Sequence, residues 1–178
     1  TQVDYYNRKA EYMKNYSAGL TGEALVSAQT DIDTFFERRV RGEWEKLLMF
    51  SEVLYDMLRA GNQITVRFSG YASPLSNPTY NKDLTLRRIE SIRNHFKGFG
   101  GIYLPYLNSE QLKIEPDPKG DTKAPPTVSK DPKLRRLSVY SVDAARERRV
   151  EIVGVDVTGN AIPFKYTPKK ALGEPPSN

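Results

Sequence analysis

The sequence contains no cysteine, which excludes disulfide bonds, thiolate metal sites and cysteine nucleophiles. It also contains no run of about 18 apolar residues, so we predict no membrane insertion by this chain. The chain opens with TQVDYYNRKAEY, a polar stretch unlike a signal peptide, which we interpret as a cut inside a longer protein. Apolar residues make up only 38% of the 178 residues, which fits a single domain with long polar loops or tails.

Groups that carry catalysis are also scarce. The only histidine, His95, has no partner at a spacing typical of metal binding or acid–base chemistry, and its position favours a role at a helix end. No GxSxG, HExxH or P-loop pattern occurs. The sequence therefore predicts a binding module rather than an enzyme, with no metal and no cofactor.

The net charge of +5 is compatible with a polyanionic partner. However, the basic residues are spread along the chain and are not interleaved with aromatic residues in a single stripe. We interpret this charge as a solvated surface and predict no nucleic-acid partner.

Apolar periodicity predicts two helical regions in the first third of the chain. The first is rich in tyrosine and ends at Tyr16. The second covers about residues 24–60: Asp31 and Asp33 precede its apolar run and suit a helix start, and Gly42 interrupts the run.

The remainder predicts a small sheet with helices on one face, a two-layer α/β sandwich with a βαβαβ core. Strands are expected at 64–68, 112–116 and 150–157, with a bulge at Gly154 and a hairpin return at 162–166. A helix capped by Asn81 or Asp83 should bury Leu86, Ile89, Ile92 and Phe96. An extended segment at 102–107 and a mobile loop at 117–133 complete a domain of residues 1–166, followed by a disordered tail at 167–178.

The stretch 64–94 combines a strand, a turn-rich loop and the first turns of a helix. Because helical side chains tilt toward the N-terminus, Arg88 is expected to reach back toward the loop. Its guanidinium suits a carboxylate bound through two hydrogen bonds, and Asn81 suits tying down the loop and offering an amide to the ligand. An arginine on an amphipathic helix is, however, more often a solvated surface residue.

Several short motifs in this region are spaced as in a known family. They are Gly70-Tyr71-Ala72-Ser73, Tyr80-Asn81, Leu84-Thr85 and Arg88, with Glu147-Arg148-Arg149-Val150 further along the chain. Over about residues 64–155 they resemble the OmpA C-terminal-like peptidoglycan-binding domains. More narrowly, the chain resembles the Bacteroidetes branch of that family, in which such domains end larger periplasmic proteins, including a component of the type IX secretion system.

The resemblance implies an OmpA-C-like sandwich that binds the diaminopimelate of the stem peptide without covalent chemistry. It implies that Arg88 pairs with a ligand carboxylate and that Asn81 supports loop and ligand. Backbone amides near Ala72 and at a helix start near Leu84 would complete an anion cradle. The implied location is the periplasm, in association with the outer membrane through an upstream part, with peptidoglycan and other secretion-system proteins as partners.

The second half of the resemblance implies that Arg148 and Arg149 frame the site or brace the last strand. Two positions depart from the family pattern. Ser73 stands where the family has an acidic residue for the ligand's ammonium group, and Glu147 replaces an asparagine. Losing the charge-assisted hydrogen bond at Ser73 costs roughly 1.5–3 kcal/mol, with Asp83 as a candidate substitute. An alternative function is therefore a protein-interaction domain of the same complex that has lost wall binding.

Overall fold

A three-stranded mixed sheet lies at the centre of the structure, a computed structural model that describes the backbone of residues 2–159 and the side chains of residues 4–159. Its strands are β1 (Gln63–Tyr71), β2 (Leu112–Gly120) and β3 (Val150–Thr158), in the order β2-β1-β3. β1 is parallel to β2 and antiparallel to β3. The α/β class and the three strands are confirmed, although β2 extends into the first part of the predicted loop at 117–133.

Seven helices and two π-helical segments surround the sheet in the described part of the chain. The helices are α1 (Gln2–Tyr6), α2 (Lys9–Tyr16), α3 (Gly22–Phe35), α4 (Gly42–Arg59), α5 (Pro78–Gly98), α6 (Leu104–Asn108) and α7 (Val142–Arg146). The π-helical segments are Phe36–Arg41 and Arg136–Tyr140. None of these helices is long and apolar enough to cross a membrane.

The main hydrophobic core lies between β1 and the helices α4 and α5. Period-two alternation in β1 puts Ile64, Val66 and Phe68 on one face, where each is at most 2% exposed. Leu58 of α4 and Ile89 of α5 pack against them. Each such side chain stabilises the fold by about 1.5–3 kcal/mol on burial, so this core fixes α5 on the sheet.

A second core, mostly aromatic, joins the N-terminal helices to the region that precedes β3. Tyr12 and Phe36 are fully buried, with ring centroids 5.4 Å apart, and Tyr12 lies equally close to Tyr140. Ala145 of α7 belongs to the same cluster. The second core therefore holds α1 and α2 beside the second π-helical segment and α7.

The long helical region differs from its prediction in its start and in its continuity. α3 begins at Gly22, so Asp31 and Asp33 are exposed residues within it and not caps. Gly42 has helical dihedral angles of φ −63° and ψ −37°, and the first π-helical segment joins α3 to α4 without a break. A glycine permits a break but does not impose one, and buried side chains such as Phe36 hold the helix to the core.

Smaller differences concern β3 and two short segments. The predicted bulge is confirmed beside Gly154, since the register leaves Val153 as the extra residue. Residues 102–107, predicted as extended, lie largely in α6, where Pro105 occupies the first turn. Leu86 is 38% exposed because the inward face of α5 runs through Asn81, Thr85, Ile89 and Phe96. The predicted hairpin return at 162–166 and the tail at 167–178 lie outside the described residues.

Candidate functional site

The candidate site lies at the carboxyl end of β1, where the chain leaves the sheet for α5. The Ala72 amide donates to the Gly120 carbonyl oxygen at 2.8 Å, so the pairing of β1 with β2 continues past the end of β1. Gly70 lets α5 come close, because a Cβ there would lie 2.9 Å from the Cβ of Thr85. Ligands of α/β proteins commonly bind outside the carboxyl ends of parallel strands.

The first turn of α5 is set by Asn77 and Pro78. The Asn77 side-chain oxygen accepts a hydrogen bond from a first-turn amide at 2.9 Å, and Pro78 presets the helical backbone. The predicted caps, Asn81 and Asp83, are therefore wrong by about one turn. Asn81 is 2% exposed, and its side-chain amide donates to the Ser76 carbonyl at 3.0 Å. It ties the loop to the helix, whereas its contact with a ligand stays a prediction.

The two backbone amides named for the predicted cradle, those of Ala72 and Leu84, are already used within the fold. The N–H of Ala72 is bonded to Gly120. Leu84 lies beyond the first four residues of α5, so its N–H belongs to the helix ladder. The earlier helix start is the physical reason why the Leu84 amide is not at a free helix end.

Arg88 extends from α5 to the end of β1. Its Nη1 donates to the Tyr71 carbonyl oxygen at 2.7 Å, and its side chain is half-buried. Among residues 4–159, no carboxylate forms an ion pair with it. Burial, followed by the charge of Arg148, lowers the pKa of Arg88, but a guanidinium remains charged at neutral pH. Arg88 therefore carries a positive charge that the described residues do not neutralise.

Arg148 is a second half-buried arginine with only neutral partners in the described part of the chain. Its Nε donates to the Ala144 carbonyl at 3.1 Å, and its Nη2 donates to the Val139 carbonyl. Its guanidinium carbon lies 5.8 Å from the ring centre of Tyr12. The charge of Arg148 also helps to lower the pKa of Arg88, and neither arginine is bonded to a carboxylate of the described residues, an arrangement that favours an anionic ligand.

Arg149, also predicted to frame the site, is neutralised within the chain. Its Nε donates to Glu151 Oε1 at 2.6 Å and its Nη1 donates to Glu147 Oε1 at 3.2 Å. Its guanidinium carbon lies 3.9 Å from the ring centre of Tyr71. This geometry favours the second of the two predicted roles, that of bracing the start of β3.

The two departures from the family pattern are both buried. Ser73 is 7% exposed, and its hydroxyl forms no hydrogen bond with residues 4–159. Glu147 is 6% exposed, its Oε2 has no partner among the same residues, and burial raises its pKa. Asp83 is exposed on α5 and forms no ion pair with the described residues. No described carboxylate is bonded to the Ser73 hydroxyl, so the replacement of the family's acid by Asp83 stays a prediction.

The sequence did not indicate that residues of the N-terminal helices lie close to the arginine pair. The Tyr12 ring lies 5.8 Å from the guanidinium carbon of Arg148, and the Tyr5 hydroxyl is bonded to that of Tyr12. Their spacing predicted a helix, but a spacing within one helix contains no information on which distant element that helix contacts. Only the shared excess of tyrosine and phenylalanine in 5–16 and 35–36 was a signal, and it indicated packing.

A separate groove of about 480 Å³ lies between α3 and α7. Its lining includes Tyr16, Asp31, Phe35, Arg38, Asp143 and Arg146. Arg146 and Asp143 pair with each other at 3.7 Å, and the other charges are of both signs. This groove therefore indicates no particular ligand class.

His95 and the acidic residues form no recognisable metal centre in the part of the chain that the structure describes. No group of three or more His, Asp or Glu side chains there is placed to hold a metal ion. His95 packs between Trp44 and Phe99, with centroid distances of 5.3 Å to both rings, and burial lowers its pKa. It behaves as a packed ring near the end of α5.

Comparison of the chain with protein-family models, with curated proteins and with solved structures finds no match. The resemblance to the OmpA C-terminal-like family accordingly stays a prediction. The arginine pair, Arg88 and Arg148, and the loop between β1 and α5 are the features that indicate the ligand chemistry.

Proposed function

We propose that this domain binds a carboxylate of the peptidoglycan stem peptide, of the diaminopimelate type, without covalent chemistry. The observation that supports this most is the pair Arg88 and Arg148, half-buried and held only by main-chain carbonyls among the described residues. The spacing of the motifs around Arg88 supports the choice of ligand. The proposal is one of binding and assigns no catalytic residue.

These contacts support a different role for each residue of the site. Arg88 uses Nη1 to hold the end of β1, which leaves Nη2 and Nε for a carboxylate. Arg148 supplies a second charge, and charge-assisted hydrogen bonds of this kind are roughly twice as strong as neutral ones. Asn81 keeps the loop in place, so the ligand meets a site that is largely organised in advance.

The narrower resemblance, to the C-terminal domain of the secretion-system component PorE, supports a biological context for this binding. In that context the domain anchors an outer-membrane-associated complex to the cell wall in the periplasm. The other partners are then proteins of the same complex. These statements depend on the resemblance alone.

Calorimetry with soluble muropeptides tests the proposal, with Arg88→Met as the key variant and Arg87→Met as its matched control. Arg87 is the next residue on α5, but it is exposed and lies 5.5 Å from the Tyr80 ring centre. We expect Arg88→Met to weaken binding by about 30-fold or more, since it removes a charged donor pair. Arg87→Met should change the affinity less than about twofold. Equal binding by both variants would contradict the role of Arg88.

The alternative, a protein-interaction domain that has lost wall binding, is favoured by Ser73 alone. Purified sacculi that fail to retain the domain, while proteins of the complex still do, would support it. Ser73→Asp separates the two readings of this position: if the ligand presents an ammonium group there, affinity should rise about tenfold through a charge-assisted bond. An unchanged affinity would show that the ammonium group lies elsewhere.

A further inference from the structure

Two tyrosines of the N-terminal helices lie against the arginine pair. Tyr12 of α2 is fully buried beneath the Arg148 guanidinium, 5.8 Å from its carbon to the ring centre. Tyr5 of α1 is half-buried, and its hydroxyl donates to the Tyr12 hydroxyl at 3.2 Å. Both residues lie outside the range 64–155 in which the chain resembles a known family.

The hydrogen bonds of this tyrosine pair are incomplete. Two hydroxyl groups carry two hydrogens, and the bond between them uses only one. Within residues 4–159 the second hydrogen has no acceptor, although buried tyrosine hydroxyls normally find one. Because hydroxyl hydrogens rotate, Tyr12 can donate to Tyr5 instead, which leaves the second hydrogen on the half-buried Tyr5 hydroxyl. Burial raises the pKa of Tyr5, so its hydroxyl stays protonated at neutral pH and remains a donor.

Arg148, whose guanidinium lies over the Tyr12 ring, is a further donor beside the tyrosine pair. Nε and Nη2 of Arg148 donate to main-chain carbonyls, and Nη1 of Arg88 donates to another. Their remaining N–H groups, like the free tyrosine O–H, lack an acceptor among the described residues. One carboxylate offers about four lone-pair positions and would satisfy donors from all three sources at once.

We propose that the Tyr5–Tyr12 hydroxyl pair is the third donor of the carboxylate site, and that α1 and α2 form one of its walls. This inference rests on the proposed function, because it adds ligand-binding residues to the same site. It also extends the binding unit from the sheet and α5 to the N-terminal helices, which the second core holds in place.

Tyr5→Phe is the sharpest test, and Tyr6→Phe is its matched control. The first change removes a hydroxyl but keeps the ring that stacks on Phe36 at 5.7 Å, so the second core should be preserved. The hydroxyl of Tyr6, the next residue on α1, donates instead to Glu37. In calorimetry with muropeptides we expect Tyr5→Phe to weaken binding about tenfold, as for the loss of a hydrogen bond to a charged group, and Tyr6→Phe to leave it unchanged. Thermal melting of each variant checks folding.

A second measurement keeps the inference separate from the choice of ligand. Free diaminopimelate and acetate are titrated into the domain while the ring signals of Tyr5 and Tyr12 are followed by NMR. Saturable shifts that Arg88→Met abolishes would support the inference even if muropeptides do not bind, in which case only the proposed function fails.

Normal muropeptide binding by Tyr5→Phe would overturn the inference and leave the proposed function intact. Tighter binding by Tyr5→Phe would overturn it too, because the tyrosines would then cover the site. No response to any of these ligands would overturn both.

Discussion

Two arginines contact Tyr71. Carboxylates of the chain neutralise the charge of one, and no described carboxylate neutralises the charge of the other. Arg149 lies over the Tyr71 ring and is bonded to the carboxylates of Glu147 and Glu151. Arg88 bonds to the Tyr71 carbonyl, and its pKa is lowered by burial and then by the charge of another arginine, Arg148. A charge that is neutralised inside the chain serves the fold, whereas an arginine pair left without a carboxylate is suited to a ligand.

The largest effect on stability is expected where the neutralised charge is removed. Arg149→Met leaves Glu147 buried, with a side chain only 8% exposed and its one cationic partner gone. Breaking a buried pair from one side is costly, and after allowance for the partial exposure of Arg149 we expect a loss of about 2 kcal/mol in the free energy of unfolding. Urea unfolding at neutral pH measures it.

Two further variants make this first prediction specific. Arg146→Met, in the same segment, removes an exposed arginine whose pair with Asp143 is 3.7 Å long, and should have little effect. Adding Glu147→Gln to Arg149→Met should recover most of the loss, because no carboxylate is then left unpaired. If Arg149→Met instead abolished ligand binding without loss of stability, the contrast between the two arginines would be broken.

A smaller, pH-dependent effect is expected from Glu147→Gln alone. Burial raises the pKa of Glu147 above its ordinary value of 4.5, so the fold favours the protonated form. A raised pKa contributes stability that is fully present below pH 4.5 and is lost as the pH rises through the folded pKa. Glutamine avoids that loss, so the variant should be the more stable one at neutral pH.

The comparison of Glu147→Gln with the unchanged domain is made by urea unfolding over a range of pH. The advantage of the variant should shrink toward zero below pH 4.5, where both residues are neutral, and should stay smaller than the loss from Arg149→Met. A stability difference that does not vary with pH would contradict the titration of Glu147 as its cause.

The sheet and α5 could be predicted because their signals are local. Alternation at Ile64, Val66 and Phe68 marks a face whether or not its partner strands are known. The position of Arg88 beside the end of β1 followed from the tilt of helical side chains, and the contact with Tyr71 agrees with it. Gly70, which has no side chain, allows β1 and α5 to approach as closely as this contact requires.

What could not be predicted depends on contacts between distant segments or on competing local signals. Asn77 with Pro78, and not Asn81, sets the helix start, and that shift places Leu84 inside α5 and not at its first turn. Nothing in the sequence places Tyr12, 136 residues earlier, beneath Arg148. Nor does the sequence distinguish Glu147, which is buried, from the many exposed carboxylates around it.

The smallest effect is expected from Arg67→Met. This variant tests whether ion pairing alone, without a buried carboxylate partner, makes an arginine important for stability. Arg67 bonds to Asp156 at 2.6 Å and lies 3.9 Å from Glu115, so it has two carboxylate neighbours, as Arg149 does. It lies, however, on the open face of the sheet, where solvent and salt screen such pairs. We expect almost no change in the urea midpoint, and none at about 1 M salt, with ligand binding unaffected. A loss as large as that from Arg149→Met would mean that pairing itself, and not the burial of Glu147, makes Arg149 structural.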